Sequence, residues 1–339
     1  MPANSLKIGL IGAGRIGRLH AEHLTSRIPS ADLIMVADVS EEAARQCAEL
    51  YTIPHSTQDY REVLGYPDIQ AVVICSSTDT HALIIEKAAQ AGKHIFCEKP
   101  IALDLPSIDR ALDAVERAGV KLQIGFNRRF DANYRRVRQA VEQGEIGRPH
   151  VLHIVSRDPD PPPIAYIRVS GGIFLDMTIH DFDIARFLTG SEVEEIFVLA
   201  DVMDNPAIGA AGDMDTAVVM LKFTNGVIGT ISNSRHAAYG YDQRVELLGS
   251  AGAISTANNY PNTAIISDDH SVRRDLPLRF FVERYTESFA SEMVAFVDAV
   301  LNDKPVPVNG LDGRVPVVMA LAAHKSFAEH RPVFLSEIE

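Results

Sequence analysis

The sequence predicts an N-terminal α/β Rossmann domain followed by a C-terminal α+β domain with an open, mostly antiparallel sheet. Three observations carry this expectation. Apolar runs alternate with helical patterns over the first third of the chain. A glycine-rich turn, Gly12-Ala13-Gly14-Arg15-Ile16-Gly17, joins the first run to the first helical pattern. After Gly125, short strand-like runs separated by tight turns take over. Strands alternating with helices form a parallel sheet covered on both faces, whereas closely spaced strands joined by turns pair antiparallel. The domains are expected at residues 1–125 and 126–339.

The elements follow in order. Residues 6–11 read as a strand and 15–26 as a helix with apolar residues at helical spacing. The alternation continues with a strand at 33–37, a helix at 41–51, a strand at 71–75, a helix at 80–92, a strand at 94–97, a helix at 105–118 and a strand at 121–125. Beyond that, 131–143 reads as a helix ending near Gly144, and 151–156 as a strand. Residues 158–163 form a proline-rich loop that neither a helix nor a central strand tolerates. A helix at 178–188 precedes strands at 194–200, 216–223, 227–232, 245–248 and 264–267. Helices at 289–301 and 314–329 close the chain.

Composition narrows the class. The 339 residues carry 46% hydrophobic side chains, enough for two cores without a staple. The net charge of −13 disfavours nucleic acid and anionic membrane surfaces, which need basic patches. No apolar run approaches the roughly 20 residues of a membrane span. Three cysteines, Cys47, Cys75 and Cys97, are too few and odd in number for a disulfide framework, and point to a reducing, cytoplasmic setting. The pairs His20/His23 and His150/His153 lack a convergent set at recognised ligand spacing, so no metal is expected.

The glycine turn has a physical reading. Gly12 permits the tight turn, Gly14 lets backbone approach a pyrophosphate, and Gly17 lets helix pack on strand. The following helix N-terminus, with Arg15 and Ile16 in its first turn, offers free N–H groups to phosphate. Asp38 ends the next strand, 21 residues beyond Gly17, where a carboxylate accepts the ribose 2′-OH of a dinucleotide and repels a 2′-phosphate. Val39 follows, where an arginine would have welcomed that phosphate. Together these residues point to NAD.

Two further segments carry chemistry. Glu98-Lys99-Pro100 lies at the carboxyl end of a parallel strand, the edge at which ligands of such sheets bind. An ammonium there suits a developing alkoxide, although a surface lysine before a turn is the ordinary alternative. Asp176 and His180, four apart at a helix start, share one face. Histidine is a natural acceptor for a hydroxyl proton; a capping acid and a satisfied core histidine are the ordinary alternatives.

Taken with Ser76-Ser77-Thr78-Asp79-Thr80-His81 and Gly125-Phe126-Asn127-Arg128-Arg129-Phe130-Asp131, these segments resemble the glucose–fructose oxidoreductase and inositol dehydrogenase family, Gfo/Idh/MocA, over essentially the whole chain. The resemblance implies Lys99, Asp176 and His180 as the catalytic set. It implies Ser76, Thr78, His81, Glu98 and Lys99 at the cofactor, with the glycine loop and Asp38. Ser156-Arg157-Asp158-Pro159, Ile179-His180-Asp181-Phe182-Asp183 and Tyr239-Gly240-Tyr241-Asp242 are similar to the myo-inositol 2-dehydrogenase branch. That similarity implies a polyol pocket lined by Asn127, Arg128, Asp158 and Tyr241 beside Lys99, Asp176 and His180, and a homotetramer. An ion pair at the domain interface is the ordinary alternative for Arg128 and Asp158. The sequence departs from the family at Ser76-Ser77, where many members have Thr-Pro, and at Leu175, where close relatives carry a basic residue. Oxidation of scyllo- or chiro-inositol or of a pyranose, and a non-enzymatic dinucleotide sensor, are the competing readings; a sensor has no need of the intact Lys99, Asp176 and His180 set.

Overall fold

The computed structural model describes residues 5–338. The chain divides into two compact units, and the division is not a single cut. The first unit takes the described residues up to Asn127 together with Glu287–Val317; the second takes Arg128–Thr286 and the residues from Val318 onward. The expected boundary at 125/126 lies two residues early, and the expectation that 126–339 form one domain is corrected.

In the first unit, β1 (Leu6–Ile11), β2 (Ala31–Ala37), β3 (His55–Thr57), β4 (Ala71–Ile74), β5 (His94–Glu98) and β6 (Leu122–Gly125) form one sheet in the order β3-β2-β1-β4-β5-β6. Every pairing is parallel. The intervening helices are α1 (Arg15–Ser26), α2 (Glu41–Tyr51), α3 (Tyr60–Gly65), α4 (Thr78–Gln90) and α5 (Leu105–Ala118). All four residues of β4 are buried, as a strand covered on both faces requires. The strand order reverses between β1 and β4, and the crevice at the carboxyl ends of those strands is where such sheets take a dinucleotide. The sequence reading missed β3 and α3. They are short, and His55 and Ser56 are exposed, so no periodic apolar signal marks the strand.

In the second unit, α6 (Ala132–Glu142) is capped by Asp131, whose side chain accepts from Asn133 N and Tyr134 N. After β7 (Pro149–Arg157) come α7 (Ile164–Ile167), a π-helical turn at Phe174–Thr178, and α8 (Ile179–Thr189), which packs on β7. The remaining elements of the chain are β8 (Val193–Asp201), α9 (Pro206–Ala210), β9 (Thr216–Phe223), β10 (Ile228–Ser234), β11 (Asp242–Gly249), β12 (Ala253–Ser255), β13 (Ile265–Ser267), β14 (Val272–Arg274), α10 (Phe281–Leu301), α11 (Gly310–Glu329) and β15 (Val333–Phe334), with residues 287–317 of α10 and α11 counted in the first unit.

The second sheet runs β12-β11-β7-β10-β9-β8-β15. It is antiparallel except for the β7–β10 pair, which is parallel. Alternation along β9 buries Ala217, Val219, Leu221 and Phe223 and exposes Val218 and Met220. Leu199, paired with Val218 across the ladder, is exposed as well, so one face of this sheet is open and carries exposed apolar side chains. Residues 264–267, expected in this sheet, instead form a separate exposed hairpin of β13 with β14.

The helix α10 starts eight residues before the expected 289, and its later part explains the division of the chain. Met293, Phe296 and Val297 pack into the core of the first unit with Leu6, Ile8, Leu10, Val36, Val73 and Phe96. Burying each such side chain contributes about 1.5–3 kcal/mol, so this segment is held where its apolar residues are. Among the described residues, no helix is long and apolar enough to cross a membrane.

Candidate active site

The glycine loop fits a dinucleotide. Gly12 adopts φ +102°, and a Cβ there would meet the Cys75 carbonyl at 2.5–2.6 Å, so only glycine closes this turn. A Cβ on Gly17 would lie 1.9 Å from the Gly12 carbonyl oxygen; its absence lets α1 seat on the loop. Around Gly14 no protein atom lies within 4 Å of a Cβ position, which leaves space for an approaching phosphate. Gly14 is also the N-cap of α1 and makes no side-chain cap, so the helix N-terminus keeps its amide groups for an anion. Arg15 is exposed and Ile16 half-exposed in the first turn.

Asp38 does more than the spacing indicated. Its Oδ2 accepts from Ala13 N at 2.7 Å and its Oδ1 from Ser40 N at 2.9 Å, tying the glycine loop to the end of β2. A carboxylate has about four acceptor positions, so it can accept further hydrogen bonds besides these two. Val39 beside it is 92% exposed.

At the ends of β4 and β5, Ser76 Oγ contacts Thr80 Oγ1 at 2.6 Å, and Thr78 opens α4. His81, expected at the cofactor, is 2% exposed, with both ring nitrogens 2.9 Å from backbone carbonyls of Ser76 and Pro100. It ties the loop after β4 to the loop after β5, and its influence on a ligand passes through them. Glu98 contacts His20 Nε2 at 2.7 Å. Lys99 follows, half-buried, joined to Pro100 by a cis peptide bond.

In the second unit the turn Gly171-Gly172, with φ +82° and +79°, leads into the π-helical turn that carries Asp176. Asp213 Oδ1 accepts from Ile173 N at 2.9 Å, close enough that a Cβ on Gly172 would meet it at 2.8 Å. Single π turns recur at functional sites because they re-aim side chains. Asp176 is not the cap of α8, since Thr178 holds that position. Instead its Oδ1 accepts from Tyr166 Oη at 2.9 Å and its Oδ2 from Arg235 Nη1 at 3.2 Å, while Arg235 Nη2 donates to Asp213 at 3.1 Å. His180 is half-buried in the first turn of α8. The sequence reading missed Tyr166, Asp213 and Arg235, because sequence separations of 10 to 59 residues give no local pattern.

The carboxyls Asp158 and Asp176 sit in contrasting surroundings. Burial first, and then the negative charge of Asp176, push the Asp158 carboxyl up to about 7, against the pull of Arg128 and Arg235. Asp158 is therefore protonated to a large extent at neutral pH and can donate as well as accept.

Arg128, expected to line a pocket, is 3% exposed and committed elsewhere. Its Nη1 donates to Asp181 at 2.5 Å, with Ser156 Oγ and Tyr241 Oη at 3.5 Å. The pair lies wholly within the second unit, so the alternative of an interface ion pair is corrected too. Asn233 extends the network: it donates to Asp181 at 2.8 Å and accepts from Thr178 at 2.7 Å. Asn127 and Tyr241 are likewise buried. A connected buried network of this kind rigidifies the floor on which the π turn stands.

The fold and these half-sites define a dinucleotide-dependent oxidoreductase, and comparison with known proteins agrees. Residues 6–126 match the oxidoreductase family with NAD-binding Rossmann fold, and residues 134–255 match the GFO/IDH/MocA C-terminal domain. The chain belongs to the GFO/IDH/MocA oxidoreductase family and binds NAD through its first unit. It is 47% identical to the myo-inositol 2-dehydrogenase of Thermotoga maritima over 98% of this chain and 99% of that one. It is 36% identical to the NAD(+)-dependent scyllo-inositol 2-dehydrogenase of Bacillus subtilis over 98% of this chain and 97% of the other. The crystal structure of a probable dehydrogenase from Thermotoga maritima superimposes with a TM-score of 0.97 at 48% identity, covering 98% of this chain and all of that one.

Proposed function

We propose that the chain is an NAD-dependent inositol dehydrogenase that oxidises the axial 2-hydroxyl of myo-inositol to the ketone, with Lys99, Asp176 and His180 as the catalytic set. The observation that carries the chemistry is the locked Asp176 carboxylate on a π turn, one turn before His180. NAD, held at the glycine loop and Asp38, would supply the hydride acceptor for the carbinol carbon. The chain's own residues handle the proton and the charge. His180 accepts the proton of the reacting hydroxyl. The Lys99 ammonium stabilises the negative charge that develops on that oxygen. Asp176, fixed by Tyr166 and Arg235, holds the imidazole or the neighbouring hydroxyl. Asp158, able to donate and accept, suits a ring hydroxyl, with Asn127, Arg128 and Tyr241 supporting the polar wall. A site that pairs each hydroxyl discriminates against epimers, because a misplaced hydroxyl leaves buried polar groups unpaired.

The greater identity to a myo-inositol than to a scyllo-inositol enzyme favours the axial position. The test is a spectrophotometric screen of inositol isomers and aldoses with NAD. Myo-inositol should give the highest kcat/KM; much faster oxidation of scyllo-inositol, which has no axial hydroxyl, would overturn the assignment. Lys99→Ala and His180→Ala should each lower kcat by about 10²–10⁴-fold while NADH binding survives. Activity of either variant within a few-fold of the unmodified enzyme refutes the catalytic set.

Two further features accompany this reading. The exposed Leu199, Val218, Met220, Ile228 and Leu248 support a homotetramer through the open sheet, and light scattering after gel filtration decides it. The three cysteines are free thiols, which supports a cytoplasmic setting.

A further inference from the structure

Glu292, on α10 within the first unit, is 0% exposed, and neither of its carboxyl oxygens has a hydrogen-bond partner among the described residues. It lies with His20 of α1 and Glu98 at the end of β5, a ring nitrogen of the first and a carboxyl oxygen of each acid within 4.8 Å of one another. His20 Nε2 and Glu98 Oε1 are already in hydrogen-bond contact. The rings of Phe96 and Phe289 stand edge-on to His20 at 5.2 and 5.9 Å and set apolar surface against it.

Three other titratable groups near this cluster are neutral. Burial holds the thiols of Cys75, at the end of β4, and Cys97, on β5, well above the usual range, and so neutral. His23, beside His20 on α1, is driven down to about 4 by burial and then by His20, and is neutral too. From β6 comes only the amide of Gln123, which donates at 2.9 Å to the backbone carbonyl of Glu292 and not to its side chain. Lys99 follows Glu98 in the chain.

We propose that Glu292 is a neutral carboxylic acid at physiological pH, so that Glu98 and Glu292 share one proton and one negative charge, the charge resting on Glu98 beside His20. Of two carboxyls held this close, the fully buried and unpartnered one resists ionisation. A buried anion without a donor costs far more than a buried neutral acid. Burial, and next the charge of Glu98, push the Glu292 carboxyl well above the usual range. His20 and Glu292 thereby act as positioning residues that settle the charge and orientation of Glu98. The consequence for NAD rests on the function proposed above together with the family resemblance, which implies Glu98 at the cofactor; the proton does not rest on it.

Infrared spectroscopy of the full chain tests the proton directly. The carbonyl stretch of a protonated carboxyl group should be present at pH 7, persist through pH 9, remain in Asp158→Asn, and vanish in Glu292→Gln. Should Glu292→Gln not fold, the pH titration of the unmodified protein and of Asp158→Asn decides alone. The absence of a band that persists to pH 9, or its survival in Glu292→Gln, overturns the proposal. So does a divalent metal that copurifies in stoichiometric amount and is lost in Glu292→Gln. For the positioning role, His20→Asn should weaken NADH binding about tenfold by fluorescence titration while the acid band remains; unchanged affinity overturns that role and leaves the proton standing.

Discussion

Arg235 donates to Asp176 across 3.2 Å from a position only 1% exposed, and its second nitrogen holds Asp213, which in turn binds the backbone of the turn ahead of Asp176. One guanidinium thus fixes both the carboxylate and the backbone that carries it. Removing the charge would strand two carboxylates at a cost of about 3–5 kcal/mol, so Arg235→Lys is the informative change. An ammonium cannot span both acids. A hydrogen bond to a charged group contributes about 1.5–3 kcal/mol, so kcat should fall about ten- to a hundred-fold with the KM for NAD unchanged. A kcat within twofold of the unmodified enzyme would show that Asp176 needs no such support.

Coenzyme choice is expected to depend on Asp38, which accepts from two backbone amides. The unmodified enzyme should have a higher kcat/KM with NAD than with NADP. The pair Asp38→Ser and Val39→Arg should move the preference toward NADP, and should also lower Tm, since the Ala13 and Ser40 amides lose their acceptor. Equal kcat/KM for the two coenzymes in the unmodified enzyme would refute the role of Asp38.

Asp158 links stability to pH. Its carboxyl is raised from 3.8 to about 7 in the folded chain. The folded state therefore binds its proton more tightly than the unfolded state. The stability this group contributes is fully present below 3.8 and is lost as pH rises through about 7. The scale is a few kcal/mol at most. Asp158→Asn should therefore gain stability relative to the unmodified protein between pH 4 and pH 7 in urea titrations; a constant difference would mean that Asp158 is ionised throughout.

His23 works in the opposite direction. Burial, and then His20, lower it from 6.5 to about 4, so the unfolded state takes up its proton first as pH falls. Stability should drop between about pH 6.5 and pH 4, by up to about 3 kcal/mol. Replacing His23 with Leu should flatten that limb of the profile; an unaltered acid limb would place the sensitivity elsewhere.

The legible parts of the site were the local ones. Gly12, Gly14 and Gly17 could be read because a turn, a close approach and a helix contact each require the missing Cβ, and spacing alone reports that. Asp176 and His180 could be read because four residues make one helical turn. Arg128 and His81 were legible as residues but not in their roles. Each is buried against groups far away in sequence, Asp181 for the first and the Pro100 carbonyl for the second, and burial is not written in spacing.

The longer strands and helices, the parallel character of the first sheet and the position of the dinucleotide loop follow from the sequence alone, because periodicity and glycine act within a few residues. Tertiary structure decided what depends on distant partners. It returned residues 287–317 to the first unit, because Met293, Phe296 and Val297 find their apolar surface there. It made one pair of the second sheet parallel, placed Arg235 behind Asp176, and enclosed Glu292 with Glu98 and His20. In each case the deciding force, whether apolar burial, ladder pairing or the cost of an unpartnered charge, acts between groups that only the folded chain brings together.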